Sequence, residues 1–512
     1  MTRTTTRTPE EQRVHARRWG ILAILCGSLL LVAMDTTVLN VAFPSLVSDL
    51  QPNSVEQLWI IDAYALALSG LLVTAGALGD RLGRKRLLVA GFVIFAVASV
   101  AAVLATAAWH VIAARALLGV GGAAIMPSTL SILRHVFTDP KERAFAYAVW
   151  TAVIGGGMAL GPVVGGLLVE HHGWHSAFLL NVPVAVVAVG VGLWLLPESR
   201  APHTGRWDWL GVGLSFVGMV ALVGGIKQLG KSGVGSPLGW LLLALGAAVL
   251  VLFVRRQLRL ARGGTGVRPL LAVRLFADRA FAVAVVSILL AMIALGAVMY
   301  LMTQWFQYAN GYSPFEAGVR LLPMPIALIV SSVVTPRLMH SYQVRQVMAW
   351  GLVLTSLGLA APWLLQQGWS LTYPGVAVAL AAMGLGVGVA TTTASVTLMA
   401  VTPQEHVGGA AAIDETSYEL GAALGVAALG SLAAALYRSE AGPAAGDSIG
   451  EAAHAADVLG GEAGQQLLVG ATHAFTQAMT PAILAGALLT LVAAAVAWRW
   501  VPRDVRPTDA TH

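Results

Sequence analysis

Charged side chains recur inside stretches of this chain that are otherwise apolar. Asp35 lies within the apolar run 19–43, and Asp62 and Arg115 lie in two later runs. A charge in hydrocarbon costs about 2.5–3.5 kcal/mol on insertion scales, so residues of this kind usually have a function. An acid beside an arginine stays ionised until its surroundings change. Asp35, Asp62 and Arg115 are therefore candidates for capturing a proton, although Asp62 would also fit an interfacial side chain that reaches water.

A second acidic group follows much later, at residues 414–419. Glu415 and Glu419 are four residues apart and share a helix face, and Asp414 lies about 100° around the helix. Neighbouring carboxylates repel each other's charge. At least one of them is expected to exchange a proton near neutral pH, or the group is expected to hold a cation. The alternative is the wall of a water-filled cavity without a specific role.

Two aromatic residues lie next to these acids in the sequence. Tyr64 is two residues from Asp62, and Tyr418 lies between Glu415 and Glu419. Aromatic faces attract cations, so both tyrosines are candidates for contact with a cationic substrate. The alternative for each is the aromatic belt of a membrane interface or ordinary packing.

The runs that position these residues are long enough to cross a bilayer, which takes about 20 residues. Of the 512 residues, 57% are hydrophobic and 11% are charged, with a mean hydropathy of +0.76, whereas soluble domains carry about 25% charged residues. The chain is therefore predicted to be an all-α polytopic membrane protein. Fourteen spans are predicted, in blocks of six, two and six: 19–43, 58–79, 87–107, 110–133, 144–169 and 174–196; 209–229 and 238–254; 280–308, 315–336, 347–366, 373–401, 407–436 and 475–500.

Lysine and arginine set the orientation of these spans. With the N-terminus inside, the cytoplasmic segments hold all but five of the 31 Lys and Arg residues, as the positive-inside rule requires. Both termini are therefore predicted to be cytoplasmic, in a multi-pass protein of the cell membrane. The expected units are a tail 1–18, a six-helix bundle 19–200, a two-helix insert 201–262, a second six-helix bundle 263–501 with an external loop 437–473, and a tail 502–512.

A glycine pattern marks the fifth span. Gly157, Gly161 and Gly165 recur every four residues, and Pro162 lies among them. Such a face lets another helix approach at backbone distance, and the proline bends the helix. A kinked helix of this kind is a candidate pivot between two halves of the protein. The alternative is ordinary tight packing.

These motifs carry a resemblance to a known family. The stretch 157–166 resembles the antiporter motif of drug exporters of the major facilitator superfamily, and 34–44 resembles their first-span signature. Arg115 with its following glycines resembles the motif of the fourth span. With fourteen spans, the chain is similar to the drug:proton antiporter family with fourteen transmembrane helices. The resemblance implies the major facilitator fold, with two six-helix bundles and a two-helix insert.

The segment 76–86 between the second and third spans resembles the loop motif of that superfamily. Its motif residues are Gly76, Asp80, Arg81, Gly83 and Arg84. The resemblance implies a latch, in which Asp80 and the arginines bond to helix ends across the two halves when that face is closed. From the residues alone, a topology anchor on the basic side fits as well. The matching segment 336–345 of the second half is degenerate.

Other functional classes find little support. Residues 225–232 fit the P-loop pattern, but they are predicted to join two membrane helices, where no strand precedes them. The histidines beside Glu170 form a short external loop and are not expected to bind a metal. No nucleic acid, nucleotide or cofactor is expected. In the external loop, 452–459 is predicted to be a helix with a capping box at 448–451, followed by a second short helix from 465.

The resulting hypothesis is proton-coupled export of cationic or amphiphilic drugs across the bilayer, driven by the proton gradient. The acids resemble those of exporters of quaternary ammonium compounds, but the tenth span, 315–336, lacks the acid that those pumps often carry. Monocations are therefore expected to be accepted more readily than dications. Two alternatives are a dedicated exporter of one antibiotic and a membrane sensor that uses the same fold without transport.

Overall fold

The computed structural model describes residues 9–198, 207–262, 267, 269–368, 371–403, 407–442 and 445–503, apart from some side chains within helices. Fourteen helices in this part are long and apolar enough to cross a membrane. Their number and order confirm the prediction of an all-α membrane protein with six, two and six spans.

The first bundle contains six spans, of which the sixth is interrupted. Asn53 caps the second helix in a capping box with Glu56, and Gly83, at φ 111°, makes the turn before the third. The span predicted at 174–196 breaks at Leu180 into a short and a long helix. The helices are α1 Pro9–Leu50, α2 Ser54–Leu82, α3 Arg84–Val103, α4 Ala108–Val136, α5 Pro140–His172, α6 His175–Leu179 and α7 Asn181–Leu195.

The insert is a pair of helices, α8 Trp209–Ser232 and α9 Pro237–Leu260. The segment 225–232 forms the last two turns of α8, so the predicted connection between membrane helices is in fact helical. Asp208 caps α8 by accepting a hydrogen bond from the Gly211 amide, and it pairs with Arg256 at 2.7 Å. Burial works to raise the pKa of the Asp208 carboxyl, but hydrogen bonds from Arg256, Gly211 and Gln257 outweigh burial and lower it.

The second bundle repeats the six-span plan with more interruptions. The span predicted at 315–336 is divided at Leu322 and continues to Ser341, and two short π-helical segments interrupt other spans. The helices are α10 Arg279–Gln304, α11 Pro314–Leu321, α12 Pro323–Ser341, α13 Val344–Gly368, α14 Tyr373–Ala400, α15 Val407–Gly425, α16 Ser431–Ala441, α17 Ile449–Leu459 and α18 Gly461–Trp500. The π-helical segments are Trp305–Ala309 and Val426–Gly430, and a 3₁₀ turn covers Val273–Ala277.

The predicted external loop is largely helical. Ser448 caps α17 through the Glu451 amide, and α17 ends at Gly460, which confirms the first helix. The second short helix was a wrong prediction, because α18 begins at Gly461 and runs without interruption to Trp500. The last span therefore extends about 14 residues, or roughly 21 Å, beyond its predicted start.

The two ends of the molecule differ in how the bundles meet. We call them the Asn53 side and the Gly83 side, after the turns on either side of α2; the positive-inside rule predicts that the Asn53 side is external. On the Asn53 side, Glu170 accepts hydrogen bonds from Ser313 Oγ at 2.7 Å and the Phe315 amide at 3.3 Å. Gln57 Nε2 donates to Ser448 Oγ at 2.9 Å. Every hydrogen bond between described residues of the two bundles lies on this side.

The glycines of α5 divide between two partners. Gly157, Gly161 and Gly165 lie against α1, where an added Cβ would meet backbone or side-chain atoms of the first bundle. Gly166 instead meets Pro314 and Phe315 of the second bundle. The four-residue stripe therefore packs within one bundle, and the adjacent face of α5 supplies the contact between halves that the sequence assigned to the stripe.

Candidate functional site

A buried charged triad lies in the first bundle. Arg115 Nη1 donates to Asp35 Oδ2 at 2.6 Å, and Asn181 Nδ2 donates to Asp35 Oδ1 at 2.8 Å. Both carboxylate oxygens are therefore occupied, and the Asp35 and Arg115 side chains are at most 4% exposed. α1, α4 and α7 meet at this point. The break at Leu180 starts α7 at Asn181 and so delivers the amide to Asp35.

Tyr64 lies against this triad. The Arg115 guanidinium carbon is 4.4 Å from the centre of the Tyr64 ring. The motif glycines of α4 allow this approach, because a Cβ at Gly119 would meet the Tyr64 carbonyl and one at Gly122 would lie 3.1 Å from its hydroxyl. Tyr64 is 1% exposed, so its ring face is used by Arg115 in this conformation.

Asp62 pairs outside this triad, with a residue of the insert. It pairs with Lys227 of α8, with 3.0 Å between Lys227 Nζ and Asp62 Oδ2, and both side chains are 0% exposed. The Trp59 ring centre lies 3.9 Å from the same ammonium. The alternative of an interfacial side chain reaching water is wrong, since α2 turns Asp62 toward the insert. Asp62 is thus part of a bundle–insert contact.

The acids of α15 are arranged more openly. Asp414 accepts a hydrogen bond from Ser395 Oγ at 2.8 Å, and Ser395 lies 3.4 Å from the Tyr418 hydroxyl. Glu415 and Glu419 are partly exposed, and no hydrogen bond to either carboxylate is formed by the described residues. These two acids remain available to a ligand or a proton.

The two groups face each other across the bundles. The charges of Glu415 and Glu419 act on the Tyr64 hydroxyl, and the charge of Arg115 acts on Glu419. α2 and α15, which carry Tyr64 and the two glutamates, pack against each other. The sequence separates these residues by more than 300 positions, and the fold brings them to one central region.

The loop motif makes contacts within the first bundle. Arg84 Nη1 donates to the Ser131 carbonyl at 3.3 Å, and Lys85 Nζ donates to the Leu193 carbonyl at 2.7 Å. Gly76 faces Pro127 of α4, and Arg81 is exposed. The Asp80 side chain lies outside the described residues. In this conformation the described part of the motif anchors the turn on α4 and α7, and no bond from it to a described residue of the second bundle is formed.

Two residues of these networks were missed in the sequence. Asn181 is an amide in a strongly apolar span, and Lys227 lies in the stretch 225–232, which fits the P-loop pattern. The cost of a polar group in hydrocarbon marks both for attention. Their partners, more than 140 positions away in each case, follow only from the packing of helices.

Comparison with known proteins agrees with this architecture. The sequence profile described as Major Facilitator Superfamily matches residues 25–425. A protein of Mycolicibacterium smegmatis described as "Multidrug efflux pump LfrA" is 38% identical over 499 residues, covering 96% of this chain and 97% of the relative. The "Methyl viologen resistance protein SmvA" of Salmonella typhimurium is 36% identical over 499 residues, covering 93% and 97%.

A third relative and a solved structure extend the comparison. The "Puromycin resistance protein pur8" of Streptomyces alboniger is 33% identical over 434 residues, covering 83% of this chain and 84% of the relative. The crystal structure of a bacterial homologue of the human lysosomal transporter Spinster, inward-facing and unoccupied, superposes with a TM-score of 0.66 at 15% identity. It covers 96% of this chain and 97% of that one. At that identity, the likeness shows the fold alone.

Proposed function

The chain belongs to the major facilitator superfamily and is a multi-pass transporter of the cell membrane, and we propose that it exports cationic or amphiphilic drugs in exchange for protons. Transport would proceed by alternating access between the two bundles. The proton gradient is the proposed energy source, and no cofactor is invoked. As a transporter, the protein is not an enzyme.

The observation that carries this proposal is the unequal pairing of the central acids. Both oxygens of Asp35 are held by Arg115 and Asn181, whereas Glu415 and Glu419 are partly exposed and unbonded among the described residues. Two neighbouring carboxylates on one face of a membrane-spanning helix favour binding of a proton or a cation over retaining both charges. Glu415 and Glu419 are therefore the proposed shared site for proton or drug, and Asp35 with Arg115 is the proposed site that responds to it.

The arrangement of contacts supports access from the cytoplasm in this conformation. The described hydrogen bonds between bundles all lie on the Asn53 side, which is expected to be external. The Gly83 side is left as the route to Glu415 and Glu419. A drug would enter there and displace a proton, and opening of the Asn53 side would release the drug outside.

The energy source is sufficient for concentrative export. A difference of one pH unit supplies about 1.4 kcal/mol per proton, and 100 mV supplies about 2.3 kcal/mol per net charge moved. Exchange of one proton for one monovalent cation moves no net charge. We therefore expect the pH gradient alone to drive export of a monocation, and the membrane potential to contribute when two protons exchange for one.

The named relatives support the substrate class. One is described as a multidrug efflux pump and another as a methyl viologen resistance protein. Methyl viologen is a bis-quaternary cation, the charge type that two free carboxylates would bind. Planar aromatic cations would also contact Tyr418, next to Glu419 on α15.

The proposal is tested in inverted membrane vesicles with an imposed pH gradient. Adding a lipophilic cation such as tetraphenylphosphonium is expected to release protons from vesicles that contain the protein, and Glu415→Gln is expected to reduce this release by at least about tenfold. Absence of proton release from the parent protein with every cation tried would overturn antiport and favour a sensor without transport.

The range of substrates needs a separate measurement, because some relatives are named for a single antibiotic. Susceptibility of a pump-deficient host is compared with and without the protein, over quaternary ammonium compounds, acridines and uncharged antibiotics. Protection against chemically unlike cations is expected. Protection against one compound alone would instead identify a dedicated exporter.

A further inference from the structure

The insert lies at a seam between the two bundles. One apolar cluster joins residues of three parts of the molecule: Leu66 of α2, Met219 and Val223 of α8, and Ala423 and Ala427 of the second bundle. α8 also packs against α16. If the bundles separate on the Asn53 side, α8 has to stay with one of them and part from the other.

The contact of α8 with the first bundle is a buried ion pair. Lys227 Nζ lies 3.0 Å from Asp62 Oδ2, and both side chains are 0% exposed. The ring centre of Trp59 is 3.9 Å from the same ammonium, so a carboxylate and an indole together enclose a cation supplied by the insert. Parting this contact would leave two uncompensated buried charges, which is strongly unfavourable.

The contact of α8 with the second bundle is of another kind. Gly230 packs on Ser431, and Arg438 Nη2 donates to the Gly230 carbonyl. The carbonyl is neutral and belongs to the last turn of α8, where carbonyls lack helical partners and accept water readily. Arg438 is partly exposed. Parting this contact leaves a neutral carbonyl and a partly exposed guanidinium, so it costs less than parting the fully buried ion pair.

We propose that Lys227 is a positioning residue that makes the insert a permanent part of the first bundle, so that the seam at Gly230 and Arg438 is the one that opens. The Asp62–Lys227 pair then keeps both charges throughout the cycle and takes no part in proton exchange. This inference rests on the alternating access proposed above.

Distances between spin labels test the inference in the full-length protein reconstituted in lipid. Labels are attached to cysteines at three exposed positions on the Asn53 side, Leu104 for the first bundle, Val234 for the insert and Val469 for the second bundle, after Cys26→Ser. Double electron–electron resonance is recorded at pH 8 and pH 5, with and without tetraphenylphosphonium. The 104–234 distance is expected to stay constant, and the 104–469 and 234–469 distances are expected to lengthen together in one condition.

The outcomes separate this inference from the proposed function. In one outcome, the 104–469 and 104–234 distances lengthen while the 234–469 distance stays constant. The insert would then move with the second bundle, and this inference alone would be overturned. Constant distances for all three pairs would overturn both the inference and alternating access.

Variants identify the residue responsible. The double variant Asp62→Asn with Lys227→Met removes the ion pair without leaving a lone buried charge. Its 104–234 distribution is expected to broaden or to follow the second bundle, whereas Lys231→Met, an exposed lysine on the same helix, is expected to leave it unchanged. An unaltered distribution in the double variant would show that the pair does not hold the insert.

Discussion

At the residue scale, the free carboxylates of α15 carry the proposed exchange. Glu415→Gln and Glu419→Gln keep the side-chain shape and remove the charge, so each is expected to reduce cation-driven proton release by at least about tenfold, the effect of roughly 1.4 kcal/mol in a barrier. Release is measured in inverted vesicles at matched protein levels. Asp457→Asn, on the exposed face of α17, is the control and is expected to behave as the parent. Full activity of both glutamine variants would contradict the assignment.

Asn181 gives a second prediction at this scale. Its amide is the only described donor to Asp35 Oδ1, so Asn181→Ala leaves one oxygen of a buried carboxylate unbonded. A loss of about 1–2 kcal/mol of stability is expected, with reduced transport. The measurement is thermal unfolding in detergent beside vesicle transport. Asn40→Ala is the control, because Asn40 bonds at 3.4 Å to a carbonyl of its own helix; equal effects of the two variants would argue against a special role for Asn181.

The sequence was informative about individual charges and uninformative about their partners. Asp35, Arg115, Glu415 and Glu419 stood out because a charge inside an apolar run is costly wherever the run packs. Lys227 was equally visible, yet its pairing with Asp62 depends on how α8 lies against α2. Hydropathy gives the depth of a residue in the membrane, but not the neighbour that it faces.

At the element scale, the glycine stripe of α5 sets the spacing between α5 and α1. A Cβ at Gly161 would collide with Thr37 Oγ1 and lie 3.0 Å from the Met34 carbonyl, whereas one at Gly156 would meet nothing within 4 Å. Gly161→Ala is therefore expected to cost about 1–3 kcal/mol through overpacking and to reduce transport, while Gly156→Ala is neutral. The measurement is thermal unfolding of the two variants. Equal melting temperatures would exclude tight packing of α5 against α1 at Gly161.

Asp208, the N-cap of α8, contributes stability that depends on pH, and the direction of this dependence follows from its lowered pKa. Because the folded pKa of Asp208 is lowered, its ionised form stabilises the fold above the unfolded pKa of about 3.9, and this contribution disappears as pH falls through the folded value. Asp208→Asn keeps the capping oxygen but loses the charge opposite Arg256. Its melting temperature is expected to lie below that of the parent from pH 5 to pH 8, with the gap closing below about pH 4. A gap that widens in acid would contradict this.

The existence of each membrane helix was predictable, because the length and hydropathy of a span are sufficient to predict a helix. The positions at which helices are interrupted were not predictable in this way. The break at Leu180 and the one at Leu322 lie in runs that read as single spans. A proline at 323 hinted at the second break. For the first, the hydrogen bond from Asn181 to Asp35 is the structural feature that accompanies it, and that contact is tertiary.

At the scale of the whole molecule, the fold of two bundles and an insert followed from counting spans and basic residues. The conformation did not, because under the proposed alternating access the same helices form both the inward-open and the outward-open state. Among the described residues, the latch expected around 76–86 forms no contact across the bundles in this state, and the hydrogen bonds of Arg84 and Lys85 reach α4 and α7. Such contacts form in one conformation, whereas the same sequence has to be compatible with every conformation of the protein.

The closed Asn53 side yields the last prediction. Glu170 of α5 bonds to Ser313 and to the Phe315 amide at the start of α11, where the helix dipole also favours a negative charge. Glu170→Ala removes these links between bundles, while Ser313 keeps its own bond to the Glu316 amide. The population with an open Asn53 side is therefore expected to increase at pH 8 without substrate, seen as a larger fraction of long distances between spin labels at 104 and 469. Glu440→Ala removes an exposed carboxylate of α16 and is expected to leave the distribution as in the parent. A shift of Glu170→Ala toward shorter distances would show that Glu170 does not hold this side closed, and the proposed order of opening would have to be reversed.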